Sequence, residues 1–153
     1  MNGRQQFATF FVDDDYFGVE VERIQEILQI QRMTPVPLSS PIIRGLINLR
    51  GQIVVAIDLR RRLGLSICAI RQPLMYVVVR YSGGGVSLLV DDIGDVLEAD
   101  ESTFECPPDT LGGDARKMIR GVHKLNDRLL HVLDTEEVLM GFSAAQNEIS
   151  TAS

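Results

Sequence analysis

Cysteine and histidine are scarce in this sequence, two of each in 153 residues. Cys68 and Cys106 lack metal-ligand spacing, and neither sits in the local context of a catalytic nucleophile. Gly-x-Ser-x-Gly, His-x-x-x-His and Asp-Thr-Gly are all missing, so the common hydrolytic and metal-dependent chemistries have no footing. Neither an enzymatic activity nor a cofactor is expected. Basic charge is also short: 15 Lys and Arg against 21 Asp and Glu give a net charge of −6, which argues against nonspecific nucleic-acid binding. No apolar run approaches the length of a membrane span, and the polar start Met1–Gln6 does not read as a signal peptide. A cytoplasmic protein without direct membrane insertion is the expectation.

What is there is a pattern written twice. The segment Ile43–Asp58 contains two apolar runs punctuated by Arg50-Gly51-Gln52, a strand–turn–strand signature. Asp58 then caps a short helix, Leu59 to Leu63, which Gly64 can close. Seventy-six residues on, Ile43, Arg44, Gly45, Leu49 and Asp58 meet Ile119, Arg120, Gly121, Leu125 and Asp134 without a gap. Asp134 opens a second capped helix with Glu137 at capping-box spacing, and Gly141 ends it. Upstream, Val19, Val21, Ile24 and Ile27 fall on Leu88, Val90, Ile93 and Val96, and Phe7–Val12 on Leu74–Val79. Residues 7–64 and 74–141 therefore read as two copies of one unit.

Along the chain, Phe7 to Val12 is a strand and Asp13-Asp14-Asp15 a turn. Phe17, Val19 and Val21 alternate with polar or small neighbours, a second strand. From Glu22 to Leu28 the apolar spacing becomes helical, predicting a helical turn. Pro35, Pro37 and Pro41 make a stiff connection. Met75–Val79 is apolar without alternation, as in a strand covered on both faces. Gly83-Gly84-Gly85 is a hairpin turn, Asp100–Arg116 an irregular loop, and 142–153 a disordered tail. Arg60, Arg61 and Arg62 complement the negative end of their helix. With no long helices, the expected class is all-β with short helices: two pseudo-symmetric five-stranded β-barrels, able to share strands, in one domain spanning about residues 5–141.

His123 and His131 fall inside strands and read as partly buried strand residues. An Asp91-Asp92 phospho-acceptor reading fails for want of alternating helices. What remains is surface. Ile24 and Ile27, with Ile93 and Val96, would flank a groove rimmed by Glu22, Glu26, Asp91 and Asp95, suited to an amphipathic helix. Filling the two cores is the competing role for each of these residues.

Val21, Ile24-Gln25-Glu26-Ile27, Thr34-Pro35-Val36-Pro37, the run Arg44-Gly45-Leu46-Ile47-Asn48-Leu49-Arg50-Gly51 and Ile57-Asp58-Leu59-Arg60 closely resemble the CheW family of chemotaxis coupling proteins. Val90-Asp91-Asp92-Ile93-Gly94-Asp95-Val96 is similar to that family's second-lobe signature. Val55 departs from it, standing where the family often has proline. The resemblance implies two SH3-like barrels and a non-enzymatic adaptor. It would join the cytoplasmic tip of a methyl-accepting chemoreceptor to the regulatory domain of the chemotaxis histidine kinase. The free protein would be a monomer that enters rings or arrays with its partners; a parallel pathway, such as pilus-based motility, is the alternative setting. By resemblance, Ile24, Glu26, Ile27, Arg50, Val90 and Ile93 form the receptor groove, and Arg50 pairs with Glu26. Met33, Val36, Leu38 and Arg44 form the kinase face.

Overall fold

A computed structural model describes residues 4–29, 33–35, 41–65, 75–81, 83–107 and 113–140. Its strands are β1 (Arg4–Val12), β2 (Asp15–Glu20), β3 (Ile24–Gln29), β4 (Ile43–Leu49), β5 (Gln52–Asp58) and β6 (Met75–Tyr81). After these come β7 (Gly84–Val90), β8 (Asp92–Ile93), β9 (Leu97–Asp100), β10 (Phe104–Glu105), β11 (Ile119–Lys124) and β12 (Leu129–Leu133). Three short α-helices, α1 (Leu59–Arg62), α2 (Gly113–Met118) and α3 (Thr135–Leu139), and two 3₁₀ turns, Val21–Arg23 and Glu101–Thr103, complete the described elements, and no helix among them is long and apolar enough to cross a membrane.

The strands form two sheets. One runs β3-β6-β7-β5-β4; the other runs β10-β11-β12-β2-β1-β8, with β9 also paired to β1. Neither sheet is built from one repeat. The β6–β7 hairpin of the second copy lies between β3 and β5 of the first, and β1–β2 of the first lies against β12 of the second. The β5–β7 and β12–β2 junctions are parallel, Val55 opposite Val86 and Leu130 opposite Tyr16, whereas β3–β6, β1–β8 and β1–β9 are antiparallel. The repeats have exchanged their first hairpins.

Three apolar layers follow from this exchange. Ile47, Val54, Ala56, Tyr76, Val78 and Leu89 fill one side of the five-stranded sheet. Phe7, Tyr16, Ala99, Leu130 and Val132 fill the corresponding side of the other. Between the sheets a larger cluster joins Phe10, Phe17 and Val19 to Val55, Ile57, Val77, Leu88 and Val122. Side chains alternate across a strand, so β6 gives Tyr76 and Val78 to one layer and Val77 and Val79 to the next. That is why its sequence shows no polar alternation.

The repeated residues do the same job twice. A Cβ on Gly45 would lie 2.7 Å from the Thr34 carbonyl oxygen, and one on Gly121 would lie 2.5 Å from that of Glu105. Each glycine lets a neighbouring segment cross β4 or β11 closely: Thr34 bridges Leu46, and Glu105 pairs with Val122. The register slips beside each glycine, between Ile43 and Gly45 and between Ile119 and Gly121. Asp58 and Asp134 cap α1 and α3, accepting from the backbone N–H of Arg61 and Glu137. Gly64 closes α1 at φ +71°.

The structure corrects several local expectations. The helical turn over 22–28 is a 3₁₀ turn at Val21–Arg23 followed by strand β3. Exposure alternates along β3, with Ile24, Glu26 and Leu28 on the covered side; the glutamate on that side and the exposed Ile27 on the other give the apolar residues a spacing that imitates a helix. The loop 100–116 contains a 3₁₀ turn, β10 and the start of α2. The Asp134 N–H bonds the Met118 carbonyl rather than Glu137, so the cap is one-sided. Gly141 and the expected tail lie outside the described residues.

Candidate partner-binding surface

Arg50 and Gly51 are the two central residues of the β4–β5 turn, which pairs Leu49 with Gln52. Both have positive φ, 52° and 87°, the condition for a primed hairpin turn. Glycine accepts that backbone freely; arginine pays roughly 1 kcal/mol or more for it. Two bonds hold the turn in place. The Asn48 side-chain oxygen accepts from Gly51 N–H at 3.0 Å, and the Arg50 guanidinium donates to Glu26 Oε1 at 2.9 Å. The arginine side chain is 82% exposed while Glu26 is 19% exposed. The ion pair is thus a surface contact, worth roughly 0.2–1 kcal/mol, and its carboxylate steers the cation more than it stabilises the fold. It ties the turn to β3.

Two isoleucines share β3 with Glu26. Ile27 on β3 is exposed, and Ile24 is half-buried against the layer between the sheets. Ile93 borders the same layer from the other sheet, where its strand β8 pairs with Phe10 and Phe11 of β1. The segment after it is fastened by Gly94 N–H to the Thr9 carbonyl at 2.8 Å and by the Thr9 hydroxyl to the Asp95 carbonyl. Val96, the repeat counterpart of Ile27, is 61% exposed. Beside Ile93 runs an open groove of about 440 Å³ whose wall includes Phe11, Tyr16, Asp95 and Arg128. The Arg128 guanidinium stacks over Phe11 and Tyr16, 5.5 and 5.0 Å from their ring centres. A fixed cation on an aromatic shelf beside an apolar rim was not legible in the sequence, because Arg128 is remote in sequence from both rings.

One expected groove residue, Val90, and one expected rim residue, Asp91, are interior. Val90 is fully buried in the layer between the sheets and offers no surface to a partner; its alternation with Leu89 only decides which core it fills. Asp91 is buried as well. Its Oδ2 accepts from Arg60 at 2.7 Å and from the Asp13 N–H at 2.6 Å. Arg60 also binds Asp13 at 2.5 Å, so it is no solvated helix end. Burial draws the Arg60 pKa down, but the bonds and charges of Asp13 and Asp91 outweigh this and raise it, so the cation persists. Arg62 likewise donates to the Glu137 and Val138 carbonyls, tying α1 to α3.

On the expected kinase face, Met33 packs partly buried against the core of the five-stranded sheet. Arg44 is the bulged residue beside Gly45 and points an exposed side chain 3.5 Å from the helix-capping Asp58. Val36 and Leu38 lie outside the described residues. The structure thus places Ile24, Glu26, Ile27 and Arg50 around one corner. Ile93 lies across the shared layer, and Met33 and Arg44 sit beside the β4 crossing.

The family model for the CheW-like domain matches residues 6–141. The Chemotaxis protein CheW of Bacillus subtilis is 32% identical over 135 residues, covering 88% of this chain and 86% of its own length. Protein FrzA of Myxococcus xanthus is 32% identical over 111 residues, 72% of this chain and 68% of its own. The crystal structure of scaffolding protein TtCheW from Thermoanaerobacter tengcongensis superposes with a TM-score of 0.79 at 24% identity, covering 92% of this chain and 94% of that one. The same two-sheet fold and a match across nearly the whole described chain make this protein a member of the CheW family of chemotaxis signal-transduction adaptors.

Proposed function

We propose that this chain couples the cytoplasmic tip of a methyl-accepting chemoreceptor to the regulatory domain of a chemotaxis histidine kinase, without catalysing a reaction itself. The observation that carries this reading most directly is Arg50. An exposed arginine occupies a left-handed turn position that glycine would fill at lower cost, and it is aimed by Glu26. Local strain kept at an exposed, charged position is a mark of recognition. In this reading Arg50, Glu26, Ile24, Ile27 and Ile93 form the receptor surface, and Met33, Val36, Leu38 and Arg44 the kinase surface. The body between them is rigid because one apolar layer is common to both sheets. A receptor movement would reach the kinase only through contacts that differ between signalling states. The adaptor would be a cytoplasmic monomer when free and join membrane-associated arrays, where many weak contacts add. A second setting, a parallel chemosensory pathway, has the likeness to FrzA in its favour.

The test measures the two interactions separately, with a receptor-tip fragment and with a kinase regulatory domain. Arg50→Gly keeps the turn and removes the guanidinium. It should lower receptor binding more than tenfold while leaving kinase binding intact and without lowering the melting temperature. Ile24→Asp should act the same way on binding. Equal loss of both partners together with a lower melting temperature would return these residues to a structural role.

A further inference from the structure

The open end of the seven-stranded sheet holds a cavity of about 290 Å³ that the adaptor reading does not use. His123 is on its wall and is 3% exposed. The ring is wedged between Phe7 and Phe104, 5.5 and 5.1 Å from their centres. Its tautomer follows from the hydrogen bonds. The Thr103 hydroxyl oxygen lies 2.8 Å from the Asp100 carbonyl and 2.8 Å from His123 Nδ1. A carbonyl only accepts, so the single hydroxyl hydrogen goes to Asp100, and Nδ1–H must donate to the hydroxyl oxygen. Nε2 is then a bare acceptor, with no partner among the described residues. Burial holds the imidazole pKa below its ordinary 6.5, against the pull of Asp100, so the ring is neutral near pH 7.5.

The rest of the wall has a complementary character. Phe7, Phe104 and Val132 give it apolar faces, and Arg4, Arg120 and Glu101 lie on it. Arg120 is occupied by Glu20, whereas Arg4 meets Glu98 only at 3.9 Å and is 62% exposed. A pocket of this size with a wall about equally polar and apolar, an imidazole nitrogen free to accept and a loosely held cation suits a small amphipathic molecule. We propose that the cavity binds a small aromatic carboxylate bearing a hydroxyl or N–H donor. The donor meets His123 Nε2, the ring lies against Phe104, and the carboxylate lies toward Arg4.

4-Hydroxybenzoate and benzoate, titrated separately into ¹⁵N-labelled full-length chain at pH 7.5, test this. The hydroxylated acid should shift the amide signals around residues 99–104 and 120–123 saturably, and should also shift the His123 Nε2 resonance. Benzoate, lacking the donor, should bind about tenfold more weakly, the worth of one good hydrogen bond. Arg4→Ser changes an exposed side chain and should weaken the hydroxylated acid several-fold without moving the melting temperature. Absence of saturable shifts with the unmodified chain, equal affinity for the two acids, or unchanged affinity in Arg4→Ser would each overturn the assignment. None of these outcomes bears on receptor or kinase binding.

Discussion

Asp91→Ala tests how firmly the two sheets are locked together. Arg60 reaches from α1 to Asp91 at the end of β7 and to Asp13 in the β1–β2 turn, which belongs to the other sheet. The Arg60 and Asp91 side chains are only 8% and 10% exposed. Removing one member of so buried a pair typically costs about 3–5 kcal/mol, because a charge is left in a poorly hydrated place. Asp13, 34% exposed, remains as a counter-ion and lowers that figure. The Asp13 N–H loses its acceptor at the same time, which adds roughly 1 kcal/mol. The expected cost is about 3 kcal/mol. Asp91→Asn keeps a neutral acceptor in place and should cost about half as much. Arg60→Leu combined with Asp91→Leu leaves no buried charge unpaired, so the double variant should lose less than the two single changes added together. The chain has no tryptophan, so urea unfolding is best followed by far-ultraviolet circular dichroism. A loss below about 1 kcal/mol for Asp91→Ala, the range of exposed pairs, would refute the argument. So would strict additivity in the double variant.

Gly45→Ala and Gly121→Ala should each destabilise by about 1–3 kcal/mol in the same assay, because the added methyl meets backbone oxygen that cannot move aside. Ser87→Ala should be neutral or stabilising by up to about 1 kcal/mol. The Ser87 hydroxyl is fully buried without a hydrogen-bond partner among the described residues, and a clear loss on substitution would reveal one. The pH dependence of stability should carry a His123 component. Its folded pKa is depressed, so the unfolded chain takes up the proton first; the contribution is complete above 6.5 and declines as the pH falls below it. The gap between the unfolding midpoints at about pH 7.5 and pH 5.5 should be smaller in His123→Phe than in the parent, and an unchanged gap would refute the argument.

Legibility in the sequence followed backbone grammar. Gly45 and Gly121, Asp58 and Asp134, and the Arg50-Gly51 turn could be read because each solves a local steric or capping problem with a restricted set of residues. Val90 and Asp91 could not be assigned. In a strand buried on both faces, alternation separates one core from another rather than core from surface. Nor does any local pattern mark Arg60 and Asp91, 31 residues apart, as an ion pair. The Arg50–Glu26 contact was expected from the family resemblance, and the geometry places it at hydrogen-bond distance.

The exchange of hairpins was the least accessible feature, because the repeat looks the same whether each copy folds on itself or lends its first two strands to the other. It has a consequence that separates the two cases. If each copy formed its own sheet, cutting the chain between residues 65 and 75 would release two lobes able to fold alone. In the observed topology, the first piece carries β1–β2 without β11–β12, and the second carries β6–β7 without β3 and β5. Phe10, Phe17 and Val19 would lose Met118 and Val122, while Val77 and Leu88 would lose Val55 and Ile57. Each piece should therefore lack a cooperative unfolding transition when alone, and the equimolar mixture should recover one. Both pieces would also have to be present to place Ile24 and Ile93 on the border of one layer. Circular dichroism of the separate and mixed pieces reads this directly, and cooperative unfolding by either piece alone would contradict the exchanged arrangement.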